Sequence, residues 1–203
     1  NLVFDTNQHA NMTLKLPDEY STGSNALDKD REPLALKLVT FASNLADKTF
    51  DNKDFQKSLG LKSKGLNFFS KSIDRKEKNR IVLELTIFNL FVISRWIMGN
   101  FRDNPKEVLD RMYYHFRKAM SDNDLEFGAI TEERYMAYHE SLSNQAGAGP
   151  MYWFGKTATQ YVLGKEDVEP KILMLSTLFF PDLMLFVADS VKDFVTSGKY
   201  IEK

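Results

Sequence analysis

The chain has 203 residues, 43% of them apolar and 13% aromatic, with 27 basic side chains against 28 acidic ones for a net charge of −1. That content fills a substantial core and lies outside the disordered range, and the even balance exerts no general pull on nucleic acid or anionic membrane. With no cysteine, disulfides, thiolate zinc sites and cysteine nucleophiles are excluded.

Residues 1–30 read as an extended or loosely ordered arm. A weak alternation at Thr13-Leu-Lys-Leu16 gives way to Pro17 and the turn-forming run Ser21-Thr-Gly-Ser-Asn25. No basic start followed by an apolar stretch occurs in residues 1–25, so no signal peptide is expected among them. Residues 31–203 read as one all-helical domain. Its first helix is expected from about Glu32 to Lys48, with Pro33 in the first turn, where its missing N–H costs nothing. Leu34, Leu38, Phe41 and Leu45 give it an amphipathic stripe.

Residues 50–74 are less regular, with Gly60 and Gly65 between short apolar groups, and suggest short helical pieces. From Lys53 to Arg80 nine basic residues face three acids, the strongest local charge bias in the chain. The stretch from Arg75 to about Gly99 follows, and its centre is apolar on every side of a helix. Such a helix is either surrounded by protein or spans a membrane. Glu84, Asn89 and Arg95 lie inside it, and charge is expensive in a bilayer. The expected fold is therefore all-α, a single-domain multi-helix bundle around a central, fully buried hydrophobic helix at about 75–99.

Asn104-Pro-Lys-Glu107 announces the next helix, with Asn as N-cap, Pro at the first helical position and Glu at the third. Val108, Leu109, Met112, Phe116 and Met120 form its apolar side, and Ser121-Asp-Asn-Asp124 closes it. Thr131-Glu-Glu133 is expected to cap a further helix, its acids at the positive end of the dipole. Tyr135, Met136, Tyr138, His139 and Leu142 make up its less polar side. Gly147-Ala-Gly149-Pro150 reads as a joint before a short aromatic helix that ends at Gly164. Pro170 opens a hydrophobic pair of helices, broken or kinked at Pro181, where a donor is lost and the ring clashes one turn back. Leu183, Phe186, Val187 and Val191 form the inner side of the second. Pro181-Asp182 in the middle of this run argues for a buried pair over membrane insertion.

Catalytic and metal motifs are missing from the sequence. A di-metal bundle needs Glu-x-x-His on two helices, whereas Met112 and Met136 stand three residues before His115 and His139. No phosphate loop, dinucleotide fingerprint, nucleophile elbow or calcium loop is present. No catalytic residue, metal or cofactor is therefore expected. Glu84 and Arg95, eleven residues apart, stand about 16 Å apart along the axis and cannot pair. Each needs a partner from another helix. Arg111, Arg117 and Arg134 are candidates for Glu84, and Asp110, Glu133 and Asp189 for Arg95.

Two functional readings follow. The first is a non-enzymatic interaction, regulatory or assembly factor that meets a protein partner. It would use the basic stretch at Lys62, Lys64 and Lys71, or the aromatic tip at Tyr152 and Trp153, since Trp and Tyr dominate binding hot spots. The second is a helical bundle binding a small apolar ligand or cofactor in a cleft lined by Tyr114, Tyr138 and His139, with Glu84, Arg95 and His115 near it. Nucleic acid and membrane insertion are disfavoured, a soluble cytoplasmic protein is favoured, and the partner and oligomeric state are open.

Overall fold

Local capping chemistry sets where the helices begin. In a computed structural model, which describes residues 28–61, 73–101, 104–121 and 127–197, the described residues form seven helices and no strand. They are α1 (Asp28–Asp51), α2 (Lys53–Ser58), α3 (Arg75–Asn100), α4 (Pro105–Ser121), α5 (Phe127–Ser143), α6 (Pro150–Leu163) and α7 (Pro170–Ser197). Asn52 caps α2 by accepting the amides of Asp54 and Phe55, and Asp74 caps α3 by accepting that of Glu77. At the start of α4 the carbonyl of Asn104 accepts the amide of Glu107. The side-chain amide of Asn104 donates to the Glu107 carboxylate at 3.0 Å. The expected pair meets in another way, because Asn104 takes a left-handed backbone at φ 48° and its side chain donates to Glu107 instead of accepting that residue's amide.

The apolar stripes of α1 and α4 face inward as their spacing predicts. Leu34, Leu38, Ala42, Leu45 and Ala46 are buried on α1, and Val108, Leu109, Met112 and Phe116 on α4. Helix α3 packs against α1, α4, α5, α6 and α7. Every residue from Glu84 to Ser94 is buried. Burial over the whole of α3, as the sequence suggested, is not found. Val82, Leu83, Trp96 and Met98 are half-buried, and most of the first turn is exposed. Asn89, inside the buried run, donates to the Ala42 carbonyl at 3.0 Å and ties α3 to α1.

Three boundaries differ from expectation. Helix α1 starts at Asp28, so Pro33 lies within it rather than at its start. Helix α5 starts at Phe127, which makes Thr131 a buried position inside the helix instead of a cap. The third difference is the largest, because α7 is one helix of 28 residues that runs through Pro181. Proline at that position leaves the Thr177 carbonyl without its i+4 donor. The carbonyl lies against α6 at Gly155, where an added Cβ would sit 2.8 Å from Thr177 O and 2.7 Å from its Cα. A residue with no side chain leaves room for the α7 backbone there. Beside it Thr159 donates to Ser176 Oγ at 2.8 Å, so α6 and α7 meet along small residues. The arm at residues 1–27 and the central part of the basic stretch at 62–72 lie outside the described residues.

Candidate functional site

Two surface features stand out, a polar cleft and an apolar helix face. The cleft, of about 710 Å³, runs beside α3, α5 and α6 and is lined by Arg80, Glu84, Glu133, Arg134, Glu140 and Lys165 among others. Glu84 on α3 is only 6% exposed, and its carboxylate accepts from Arg134 Nε of α5 at 3.1 Å and from Nη2 at 3.2 Å. Of the three arginines that sequence offered to Glu84, the structure selects Arg134. The guanidinium also lies 3.8 Å from the centre of the Tyr161 ring and pairs with Glu133 at 2.7 Å. Burial lowers the Arg134 pKa, but the hydrogen-bonded Glu84 carboxylate outweighs it and the net shift is upward. Arg80 Nη1 donates to the Tyr161 carbonyl at 3.2 Å, placing a cation at the C-terminal end of α6. There Gly164 adopts φ 63° and closes the helix.

The remaining candidate residues disperse. Tyr138 is fully buried, packed edge-on to Phe88 and near Phe91 and Phe154. Its pKa is raised well above the usual phenol range, first by burial and then by the Glu84 charge. His139 packs edge-on to Phe91, and its Nδ1 lies 3.0 Å from Arg95 Nη1. Because a guanidinium only donates, Nδ1 accepts and the imidazole proton sits on Nε2. Arg95 therefore meets a histidine of α5, and burial lowers its pKa. Tyr114 is 54% exposed on α4 and packs edge-on against its neighbour His115. His115 Nε2 lies 2.7 Å from Glu32, in a network in which Arg111 bonds Glu32 and Glu107, and Arg31 bonds Glu107. That network clamps α1 to α4. Tyr114, Tyr138 and His139 do not line one cleft, since one faces solvent, one is core and one is pinned to α3.

The aromatic tip is held by its own chain. The Trp153 indole donates to the Ala146 carbonyl at 2.8 Å, Tyr152 packs edge-on against Trp153, and both are half-buried. Trp153 thereby staples the loop before α6 and forms one wall of the polar cleft. Lys62, Lys64 and Lys71 lie outside the described residues. Among the described residues no group of three or more His, Asp or Glu side chains is arranged to hold a metal.

The second feature went unnoticed in the sequence. Met174, Leu175, Leu178, Leu185 and Phe186 on α7 are 38–68% exposed. Phe186 therefore faces water rather than the core. The apolar half from Ile172 to Phe180, expected to be buried in a helical pair, is covered on one side only, through Ser176, Thr177 and Phe180. At one residue per 100°, the five exposed side chains share an arc of about 120° with Lys171, Asp182 and Asp189. The helical wheel could have exposed this, because two apolar arcs on one helix require two covering surfaces. Other helices expose large apolar side chains singly, as at Leu36, Met136 and Met151.

Met136, expected on the less polar side of α5, is 57% exposed. Comparison with known protein families, with curated protein sequences and with solved structures finds no match to this chain.

Proposed function

We propose that this chain is a non-enzymatic helical docking protein that binds a protein partner through the exposed apolar face of α7. The observation that carries the reading is the group of five large apolar side chains between Met174 and Phe186, each 38–68% exposed on one helix. The largest contiguous apolar patch on a monomer often marks a binding site. The lysines at 62, 64 and 71 and the Tyr152/Trp153 tip, nominated from sequence, become secondary to this face. The decisive experiment replaces Leu178 by a photo-cross-linking residue in the full chain, with exposed Gln145 as control. Adducts to protein from position 178, absent from position 145 and abolished by Phe186→Glu, support the reading. Adducts to lipid alone, or none, overturn it.

A second reading rests on the cleft over the Glu84–Arg134 pair. Both charge signs line it (Arg80, Arg134 and Lys165 with Glu84, Glu133 and Glu140), which suits a small polar ligand with both signs rather than the apolar one expected from sequence. Native mass spectrometry of the purified chain checks it. A bound small molecule lost on Glu140→Gln would favour the cleft, and an unliganded chain would dismiss it.

A further inference from the structure

The exposed face of α7 has an order that a surface for an arbitrary partner does not need. We infer that its occupant is α7 of a second copy of this chain, laid antiparallel across it about a two-fold axis level with Phe180. This rests on the reading of α7 as a docking face and names what docks there.

Three observations point to a second copy. The first is spacing. In an antiparallel pair related by a two-fold axis, residues meet when their numbers sum to twice the residue at the centre and they lie at similar angles around the helix. With the centre at 180, Met174 meets Leu185 of the second copy and Leu175 meets Phe186, each within one residue of the sum. Each pair lies within about 20° on the wheel. All four side chains are exposed. The second observation is charge. In the same register Lys171 stands opposite Asp189 of the second copy, at the same wheel angle, twice per dimer. Both residues are exposed. The third is dipole. The first turn of α7 carries no acid and its last turn no base, and Lys171 stands in that first turn, against the positive end of the helix's own dipole. An antiparallel neighbour sets Lys171 instead beside the C-terminal half of the other helix, next to Asp189.

The same register holds one adverse element. Asp182, exposed within the apolar arc, stands opposite Leu178 of the second copy and loses water on assembly. The exposed apolar stretch is only about 18 Å long, so an interface built on it is small beside the standard one of roughly 800 Å² per partner. The dimer is therefore a weak, reversible one.

Sedimentation velocity on the full chain, from about 1 to 200 µM, tests the proposal. The expected result is a monomer–dimer equilibrium that Leu178→Glu abolishes without changing the circular dichroism spectrum. Lys171→Asp and Asp189→Lys should each weaken the dimer roughly tenfold by turning two attractions into two repulsions. An equimolar mixture of those two variants should recover wild-type association, because in the mixed dimer both pairs are again opposite in sign. Asp182→Leu should tighten the dimer roughly tenfold. A monomer at every concentration overturns the proposal, as does a dimer indifferent to Leu178→Glu, or one that the mixed charge variants fail to restore. A monomer that still cross-links another protein from position 178 overturns the self-pairing alone and leaves the docking reading standing. Flotation with vesicles of neutral or anionic lipid, lost on Leu178→Glu and without dimer formation, overturns both.

Discussion

Helices α3 and α7 are 26 and 28 residues long, and each contains an 18-residue stretch apolar enough to cross a membrane by composition. In α3, 72% of that stretch is buried, and in α7 only 28%. The contrast comes from neighbours rather than from content. Five helices pack around α3, whereas α7 meets α2, α3 and α6 on the side of Phe180, Leu183 and Val187, and touches α1 where Phe194 stacks on Phe41. An apolar helix states that it must leave water, but not what will cover it. In α3 the cover is the rest of the chain, and in α7 half of it is wanting among the described residues.

The sharpest way to break this comparison is to truncate a large side chain in each helix and compare the costs. Phe88→Ala in α3 removes a ring that touches Tyr138, Phe154 and Phe180. It should cost about 3–5 kcal/mol, read as a lower urea midpoint at constant slope. Gly155→Ala should follow at about 1–3 kcal/mol, because its methyl group meets the backbone of Thr177. A near-neutral result there would mean that α6 and α7 can slide apart freely. Glu84→Gln, which leaves Arg134 facing a neutral amide, should cost about 1–2 kcal/mol, and addition of salt should narrow the gap to wild type.

A smaller effect is expected at alkaline pH. The Tyr113 hydroxyl bonds Ser94 of α3 at 2.8 Å, and its pKa is pushed up to about 12, chiefly by burial. A phenol whose pKa is higher in the folded state than in the unfolded chain supports the fold in full below pH 10. That support is lost as pH rises from 10 toward 12. Thermal midpoints should fall over that window, and Tyr113→Phe should flatten part of the decline. Tyr135 and Tyr138, also raised by burial, supply the remainder. Smallest of all, Leu178→Ala on α7 should change monomer stability by no more than about 0.5 kcal/mol, measured well below the dimerisation range. A loss of several kcal/mol there would mean that the exposed face is part of the core, and the contrast with α3 would vanish.

Much of the helical framework was legible because its signals are local. Pro105, Pro150 and Pro170 begin their helices as read, Gly164 ends one, and the stripes on α1 and α4 point inward. Each depends on residues within a turn or two of one another. The misreadings share a different cause. Pro181 reads as a break until Gly155, 26 positions earlier, is found beside the Thr177 carbonyl. Arg134 could be named as one of three partners for Glu84, but only helix packing chooses among them. Tyr114, Tyr138 and His139 look like one aromatic cluster along the chain and separate in space, because α4 turns Tyr114 outward while α5 turns Tyr138 into the core.

The sequence by itself determined that this chain is helical, where most of its helices start, and which two of them must escape water. Tertiary structure alone decided which of those two was enclosed, and therefore where a surface remains for binding. Backbone hydrogen bonding and capping are satisfied within a few residues, so they are written locally. Covering an apolar face takes matching surface from elsewhere in the chain, and α7 has two faces to cover but, among the described residues, neighbours on only one.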